Sequence, residues 1–284
     1  MINDKILILG ATGQLGSQLR ELLDSQAIDY LAPSSKQLDI TNADLVTQYF
    51  QKYQPTIIFD CAAYTNVDGA EGEPGKTLDH KINVEGTKFV AQAAEMIKAT
   101  LFYISTDYVF DGNKTTAYLP EDQPHPQCEY GRTKAEGETS VLNIMSKYYI
   151  IRTSWVFGQY GHNFVYTMLQ LAENHSQIKV VNDQIGRPTW AKTLAQFMIY
   201  AWRQKISYGI YQLSNDNYCS WYQFAQEILT DKKVKLIPIS SADYPQKAQR
   251  PQRSIMNLDK VKATGFLIPT WQSALREFKE EITN

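Results

Sequence analysis

Cysteine is scarce in this chain. Three stand among 284 residues, Cys61, Cys128 and Cys219, far apart and in no CxxC spacing. An odd count with that spacing gives no basis for a disulfide framework or a cysteine-built zinc site, and fits a reducing compartment. Histidine is as sparse: His80, His125, His162 and His175 form no HExxH pattern, so no protein-built metal site is expected. A basic stretch is missing too, and 28 Lys+Arg against 30 Asp+Glu leave a formal net charge of −2. That balance lacks the electrostatic footprint of a nucleic-acid binder, so no nucleic-acid partner is expected. No apolar run approaches the ~20 residues of a membrane-spanning helix, so no membrane partner is expected either. The first residues, Met1 to Lys5, lead straight into an apolar strand without the layout of a signal peptide, and the expected location is cytoplasmic. Low-complexity linkers and internal repeats are absent as well.

What is present is an alternation. The 43% hydrophobic content is ample for a sizeable core, in one large domain or two modest ones. Lys5 to Leu9 reads as a buried strand, and Leu15, Leu19, Leu22 and Leu23 then recur at helical spacing. Further strands are expected at Ile28 to Ala32, Thr56 to Asp60, Leu101 to Ser105 and Tyr148 to Arg152. A long helix carries Val90, Ala93, Ala94 and Ile97 on one face. Strand–helix alternation of this kind predicts an α/β fold: a Rossmann-type, doubly wound parallel sheet with ligands at the carboxyl ends of the strands. Beyond Val156 the rhythm loosens, with short strands such as Lys179 to Val181 among proline- and aromatic-marked loops. The expected organisation is a dinucleotide-binding domain over residues 1–155. Residues 156–284 would form mainly a smaller, C-terminal substrate-binding lobe, interleaved with the sheet across a soft boundary.

Gly10, Gly13 and Gly16 sit between the first strand and the first helix. Glycine allows a tight turn and a close approach to a pyrophosphate, and the helix N-terminus offers free N–H groups to it. The spacing is GxxGxxG rather than GxGxxG, and an ordinary strand–helix turn is the competing reading. A carboxylate at the end of the second strand would favour NAD through a ribose hydroxyl. This chain has Ser34, Ser35 and Lys36 there instead, which suit a 2′-phosphate or form a simple polar turn. NADPH is therefore the expected cofactor, with NADH the alternative. Asp39 and Ile40 follow, either flanking the adenine or, for Asp39, as a solvated loop acid.

Tyr130 and Lys134 stand four residues apart at the start of a predicted helix, so they share a face. A phenol titrates near ~10, and a neighbouring ammonium favours its ionised form. Such a tyrosine can exchange a proton near neutral pH, worth typically ~10²–10⁴ in rate. The fourth strand ends in Ser105-Thr106-Asp107, where a hydroxyl can bond both a reacting carbonyl and the tyrosine. Thr106 is preferred over Ser105. Asp107 is either a substrate-hydroxyl contact or, like Asp111, a turn cap.

Taken together, the glycine turn, Cys61-Ala-Ala-Tyr-Thr65, Ile82-Asn-Val-Glu-Gly-Thr87, STDYVFDG and YGRTK resemble the extended short-chain dehydrogenase/reductase family. Arg152-Thr-Ser-Trp155, Val181 to Thr189 and Arg250-Pro-x-x-Ser254 narrow the resemblance to the branch acting on dTDP-4-dehydrosugars. The resemblance spans nearly the whole chain. It implies reduction of the 4-keto group of dTDP-4-dehydro-L-rhamnose to dTDP-L-rhamnose, a precursor of cell-surface polysaccharide. It further implies Tyr130 as proton donor, Lys134 as its tuner and ribose contact, and Thr106 as assistant to the tyrosine, touching the sugar with Asp107 beside it. Gly13, Gln14 and Leu15 would approach the pyrophosphate. Asp39 and Ile40 would lie near the adenine, and Ala62, Ala63, Tyr64 and Thr65 would line the cofactor groove. Trp155 would meet the sugar ring, with an ordinary core aromatic as the other reading. Arg187 and Arg250 are candidates for the sugar-nucleotide diphosphate or for solvated surface roles. Some relatives form magnesium-joined dimers, so Mg2+ enters by analogy alone, and the expected state is a monomer or a homodimer. Two rival functions share these motifs: a non-catalytic regulatory subunit, and an epimerase or dehydratase. Thr106, Tyr130 and Lys134 argue against the first. Tyr108 after Asp107, where a dehydratase commonly carries glutamate, argues against a dehydratase.

Overall fold

Every second residue of the first strand faces the same way, and that alternation builds two cores. The computed structural model describes residues 4–283. In β1 (Ile6–Leu9), Ile6 and Ile8 enter one buried cluster while Leu7 and Leu9 enter another. A strand buried on both faces reads as an unbroken apolar run, as this one does. The chain continues through α1 (Gln14–Asp24), β2 (Tyr30–Leu31), α2 (Ala43–Tyr53), β3 (Ile57–Asp60), α3 (Gly75–His80) and a π-helical stretch over Lys81–Gly86. It then forms α4 (Thr87–Met96), β4 (Thr100–Thr106), α5 (Glu129–Ile144) and β5 (Tyr148–Thr153).

The later elements are β6 (Val156–Phe157), α6 (Phe164–Asn174), β7 (Gln177–Val181), β8 (Ile185–Gly186), β9 (Thr189–Trp190) and α7 (Ala191–Gln204). They are followed by β10 (Gly209–Gln212), β11 (Cys219–Ser220), α8 (Trp221–Ile228), β12 (Lys235–Ile239), α9 (Asp259–Lys262) and α10 (Trp271–Thr283).

The main sheet is parallel, with six strands in the order β10-β5-β4-β3-β1-β2. Strand order reverses between β1 and β3, where Leu9 pairs with Asp60, and that switch point is where open α/β sheets take ligands. One face packs on α1 and α7 through Leu19, Leu23, Leu194 and Met198. The opposite face packs on α2, α4 and α5 through Phe50, Val90, Ala94 and Val141. The expected strands are present, and the second is the most shortened: it keeps two residues, Tyr30 and Leu31, of the five foreseen. Ile97 caps α4 rather than extending it.

Residues after 156 do two things. They supply α7 and β10 to the sheet, and they form a third core in which Phe157, Met168, Ile178, Phe224, Trp271 and Phe278 meet. No helix among the described residues is long and apolar enough to cross a membrane.

Candidate active site

The glycine turn is shaped by contact. Gly10 has φ +67°, a left-handed conformation that glycine adopts without strain, and a Cβ there would meet the Cys61–Ala62 backbone at 2.7 Å. A Cβ at Gly16 would stand 2.2 Å from the Gly10 carbonyl oxygen. Gly13 caps α1 without a side-chain hydrogen bond, so the first turn keeps its N–H groups free for an anion. This bare helix start fits a dinucleotide pyrophosphate. Leu15 turns into the core, and Gln14 reaches sideways. The Gln14 amide donates to the Val156 carbonyl (3.2 Å) and accepts from Asn163 (3.1 Å), tying the turn to the later segments.

Around it lie the other expected cofactor contacts. Ala62, Ala63 and Tyr64 are half-buried just after β3, and Thr65 is exposed. Tyr64 is held through its backbone by Asn83, which accepts from its N–H at 3.0 Å and donates to its carbonyl at 3.1 Å. Ile40 is buried against Gly86, whereas Ser34 and Asp39 are exposed and bond locally, to Gln37 and Thr41.

Tyr130 sits in the first turn of α5, across from the end of β4. Its ring meets Tyr108 edge-on with centroids 5.7 Å apart. Burial pushes the phenol above its ordinary value, and the nearby Thr106 hydroxyl only partly opposes this. Lys134 is not among its leading influences. Burial outweighs the lowering of the phenol expected from its helical neighbour. The reason is where the ammonium goes: Lys134 Nζ lies 4.0 Å from the centre of the Tyr103 ring. Burial lowers its value to about 8, against the pull of Asp60, Glu138 and Asp79.

Asp107 also differs from expectation. It is 1% exposed and both oxygens are used, one by Thr106 at 3.2 Å and the other by Ser254. Burial pushes its carboxyl up to about 6. A side chain so enclosed orders the strand tip and leaves little surface for a substrate hydroxyl.

The two candidate arginines part company. Arg187 ion-pairs with Asp216 (2.9 Å), which also takes Lys262 (2.6 Å). It is not on the wall of the main cavity, so the diphosphate role expected for it has no support here. Arg250 does line that cavity, of about 950 Å³. It bonds Asp68 at 2.8 Å and the Tyr108 hydroxyl at 3.3 Å, and its Nε, like that of Arg187, is buried without a partner. Burial opposes its charge, but Tyr108 and Asp68 more than offset that. The cavity runs from Thr65–Asp68 to α6, β7 and Trp221; Tyr130 is not on its wall, but Arg250 on that wall bonds Tyr108, whose ring meets Tyr130. Trp155 is set behind its wall, stacked on Trp221 with centroids 3.6 Å apart, and holds φ +48°. That conformation is strained for a tryptophan.

Several residues in this site were missed from sequence. Asp60 ends β3 fully buried. Asp79, Asn83 and Thr133 form a buried network under Tyr130, with Thr133 donating to Asp79 (2.9 Å) and Asn83 donating to Asp79 (2.6 Å). Asn83 lies in the quoted INVEGT segment, and its π-helical setting is the kind of irregularity that often marks a site. Among the described residues, no three His, Cys, Asp or Glu side chains gather as a metal site.

Known proteins resemble this chain along nearly its whole length. A dTDP-4-dehydrorhamnose reductase of Aggregatibacter actinomycetemcomitans is 41% identical, over 97% of this chain and 98% of that protein. The spore coat polysaccharide biosynthesis protein SpsK of Bacillus subtilis is 37% identical, over 98% and 97%. The crystal structure of dTDP-4-dehydrorhamnose reductase from Bacillus anthracis in complex with NADP superposes with a TM-score of 0.94 at 41% identity, covering 99% of this chain and all (100%) of that one. The family model described as the RmlD substrate binding domain matches residues 4–284, and the chain belongs to that family.

Proposed function

We propose that this protein reduces the 4-keto group of dTDP-4-dehydro-L-rhamnose to give dTDP-L-rhamnose, with NADPH as reductant. One observation carries the reading. Tyr130, Thr106 and the glycine turn converge at the carboxyl ends of the central strands, beside a cavity carrying Arg250. The bare first turn of α1, with Gly10, Gly13, Gln14, Leu15 and Gly16, holds the pyrophosphate. Ala62 to Thr65 line the groove, Ile40 and Asp39 lie toward the adenine, and Ser34 stands toward the 2′-phosphate. When bound, NADPH supplies the hydride.

The chain's own residues do the rest. Thr106 orients the ketone oxygen and the phenol. Tyr130, kept neutral by burial, donates its proton to that oxygen as it gains charge. The buried Lys134 ammonium offsets the phenolate left behind and takes the nicotinamide ribose. Arg250 receives the diphosphate, and the Trp155–Trp221 stack bounds the sugar side. In this reading residues 1–155 are the dinucleotide half and 156–284 mainly the substrate half. The enzyme works as a monomer or a homodimer, and any Mg2+ dependence rests on family analogy.

The test is a coupled assay. NADPH should be consumed only when the keto sugar nucleotide is present, with NADH run alongside. Purified protein that binds the sugar nucleotide but consumes neither reductant would end the proposal.

A further inference from the structure

Three carboxylates bear on the Lys134 ammonium, and two are already occupied. Both oxygens of Glu138 accept from Arg152, at 2.9 and 2.7 Å. Asp79 accepts from Asn83 on one oxygen and Thr133 on the other. Asp60 differs. Its Oδ1 accepts the Ala62 N–H at 3.1 Å, while its Oδ2 is buried with no partner. A buried carboxylate oxygen without a hydrogen bond is costly unless another charge offsets it.

The sheet places that charge nearby. Asp60 is paired in register with Tyr103, whose ring carries Lys134 Nζ at 4.0 Å. Asp60 and Lys134 are 1% and 2% exposed, and no direct ion pair closes between them. In a site this dry, opposite charges act on each other beyond contact distance. The remaining titratable neighbours, the Cys61 thiol and the Tyr103 and Tyr130 phenols, are raised by burial and so neutral.

We propose that Asp60 is a positioning residue for Lys134: its free carboxylate oxygen keeps the ammonium buried over the Tyr103 ring in the charged form that the reductase chemistry needs. This rests on the function proposed above. The electrostatics run the same way from both sides. Burial raises Asp60 to about 6, and Lys134 opposes the rise. Burial lowers Lys134 to about 8, and Asp60 is the largest opposing influence. Both groups are therefore charged between those values, and the assembly fails on the alkaline side as Lys134 discharges.

Asp60→Asn keeps the acceptor for Ala62, removes the charge and puts an amide NH2 where the unpartnered Oδ2 was. Two readouts follow. In cofactor-free protein, the 13Cε resonance of Lys134, assigned by its loss in Lys134→Met, reports the lysine's own titration. In the assay, kcat/KM against pH reports the working enzyme. Both alkaline midpoints should fall by about one pH unit in Asp60→Asn. Reciprocally, Lys134→Met should raise the Asp60 midpoint, read from its 13Cγ resonance, above its parent value. This second arm decides the matter if Asp60→Asn does not fold. Unmoved Lys134 and Asp60 midpoints would overturn the proposal. A parent protein without reductase activity would instead sink the functional reading and leave the resonance arms to judge the coupling.

Discussion

The proposed cofactor side and the proposed substrate side of this site are built in different ways. The first is local. Gly10 to Gly16, Ala62 to Thr65 and Tyr130 to Lys134 each lie on a strand end or a helix start, and the parallel sheet brings those ends together. The second is assembled from remote pieces. Arg250 meets Asp68 across 182 positions, Ser254 meets Asp107 across 147, and Trp155 stacks on Trp221. A local device can be recognised by spacing. A remote one exists only once the chain has folded.

The widest gap between the two sides should appear at Tyr130. Tyr130→Phe removes the donated proton and leaves the cofactor groove intact. Turnover should fall by ~10²–10⁴ while NADPH titration, followed by fluorescence, stays near the parent curve. Parent-like turnover would remove Tyr130 from the chemistry. Next comes the glycine turn. A methyl at Gly16 has nowhere to go, because the atom it meets is backbone. Gly16→Ala should cost about 1–3 kcal/mol of stability by overpacking and weaken NADPH binding by about tenfold or more. Unchanged affinity in the Gly16→Ala protein would show that the first turn of α1 is not the pyrophosphate seat.

That local–remote contrast explains what was legible beforehand. The sheet was, since apolar runs such as Ile6–Leu9 and Ile57–Asp60 declare themselves by burial on both faces. The Tyr130–Lys134 spacing was legible as a helix face, but not the direction of the ammonium. Lys134 goes to Tyr103 because β4 puts an aromatic ring there, thirty-one positions earlier in the chain. Asp60 read as the end of an apolar strand. Its role depends on which carboxylates are already bonded, and no spacing encodes that. Arg187 and Arg250 looked equivalent for the same reason: each pairs with an aspartate, and only the folded chain puts Arg250 on the cavity wall.

The arginines offer the sharpest test of the remote side. Arg250→Ala should raise KM for the sugar nucleotide by about tenfold or more, as expected when a charged hydrogen-bond partner worth about 1.5–3 kcal/mol is lost. Arg187→Ala should instead lower Tm with KM unchanged, because it strips Asp216 of one of its two cations. Reversal of the two phenotypes would redraw the substrate side around Arg187.

The smallest expected effect concerns Ser254, which fastens the late segment to the tip of β4. Its hydroxyl donates to Asp107, and that bond holds the carboxyl down against burial. Asp107 titrates at about 6 when folded, above the ~3.9 of an unfolded chain. A raised acid of this kind penalises the folded state at high pH, and the penalty fades as pH falls from the folded value toward the unfolded one. Ser254→Ala should push the folded value higher still. It should therefore cost about 1.5–3 kcal/mol at pH ~8, where Asp107 must be charged, and clearly less at pH ~5, where it is protonated. Thermal melts of parent and variant across that range would show the Tm gap narrowing on acidification. A gap that stays constant with pH would mean that Ser254 contributes packing alone, and that the strand tip does not depend on the late segment for its charge.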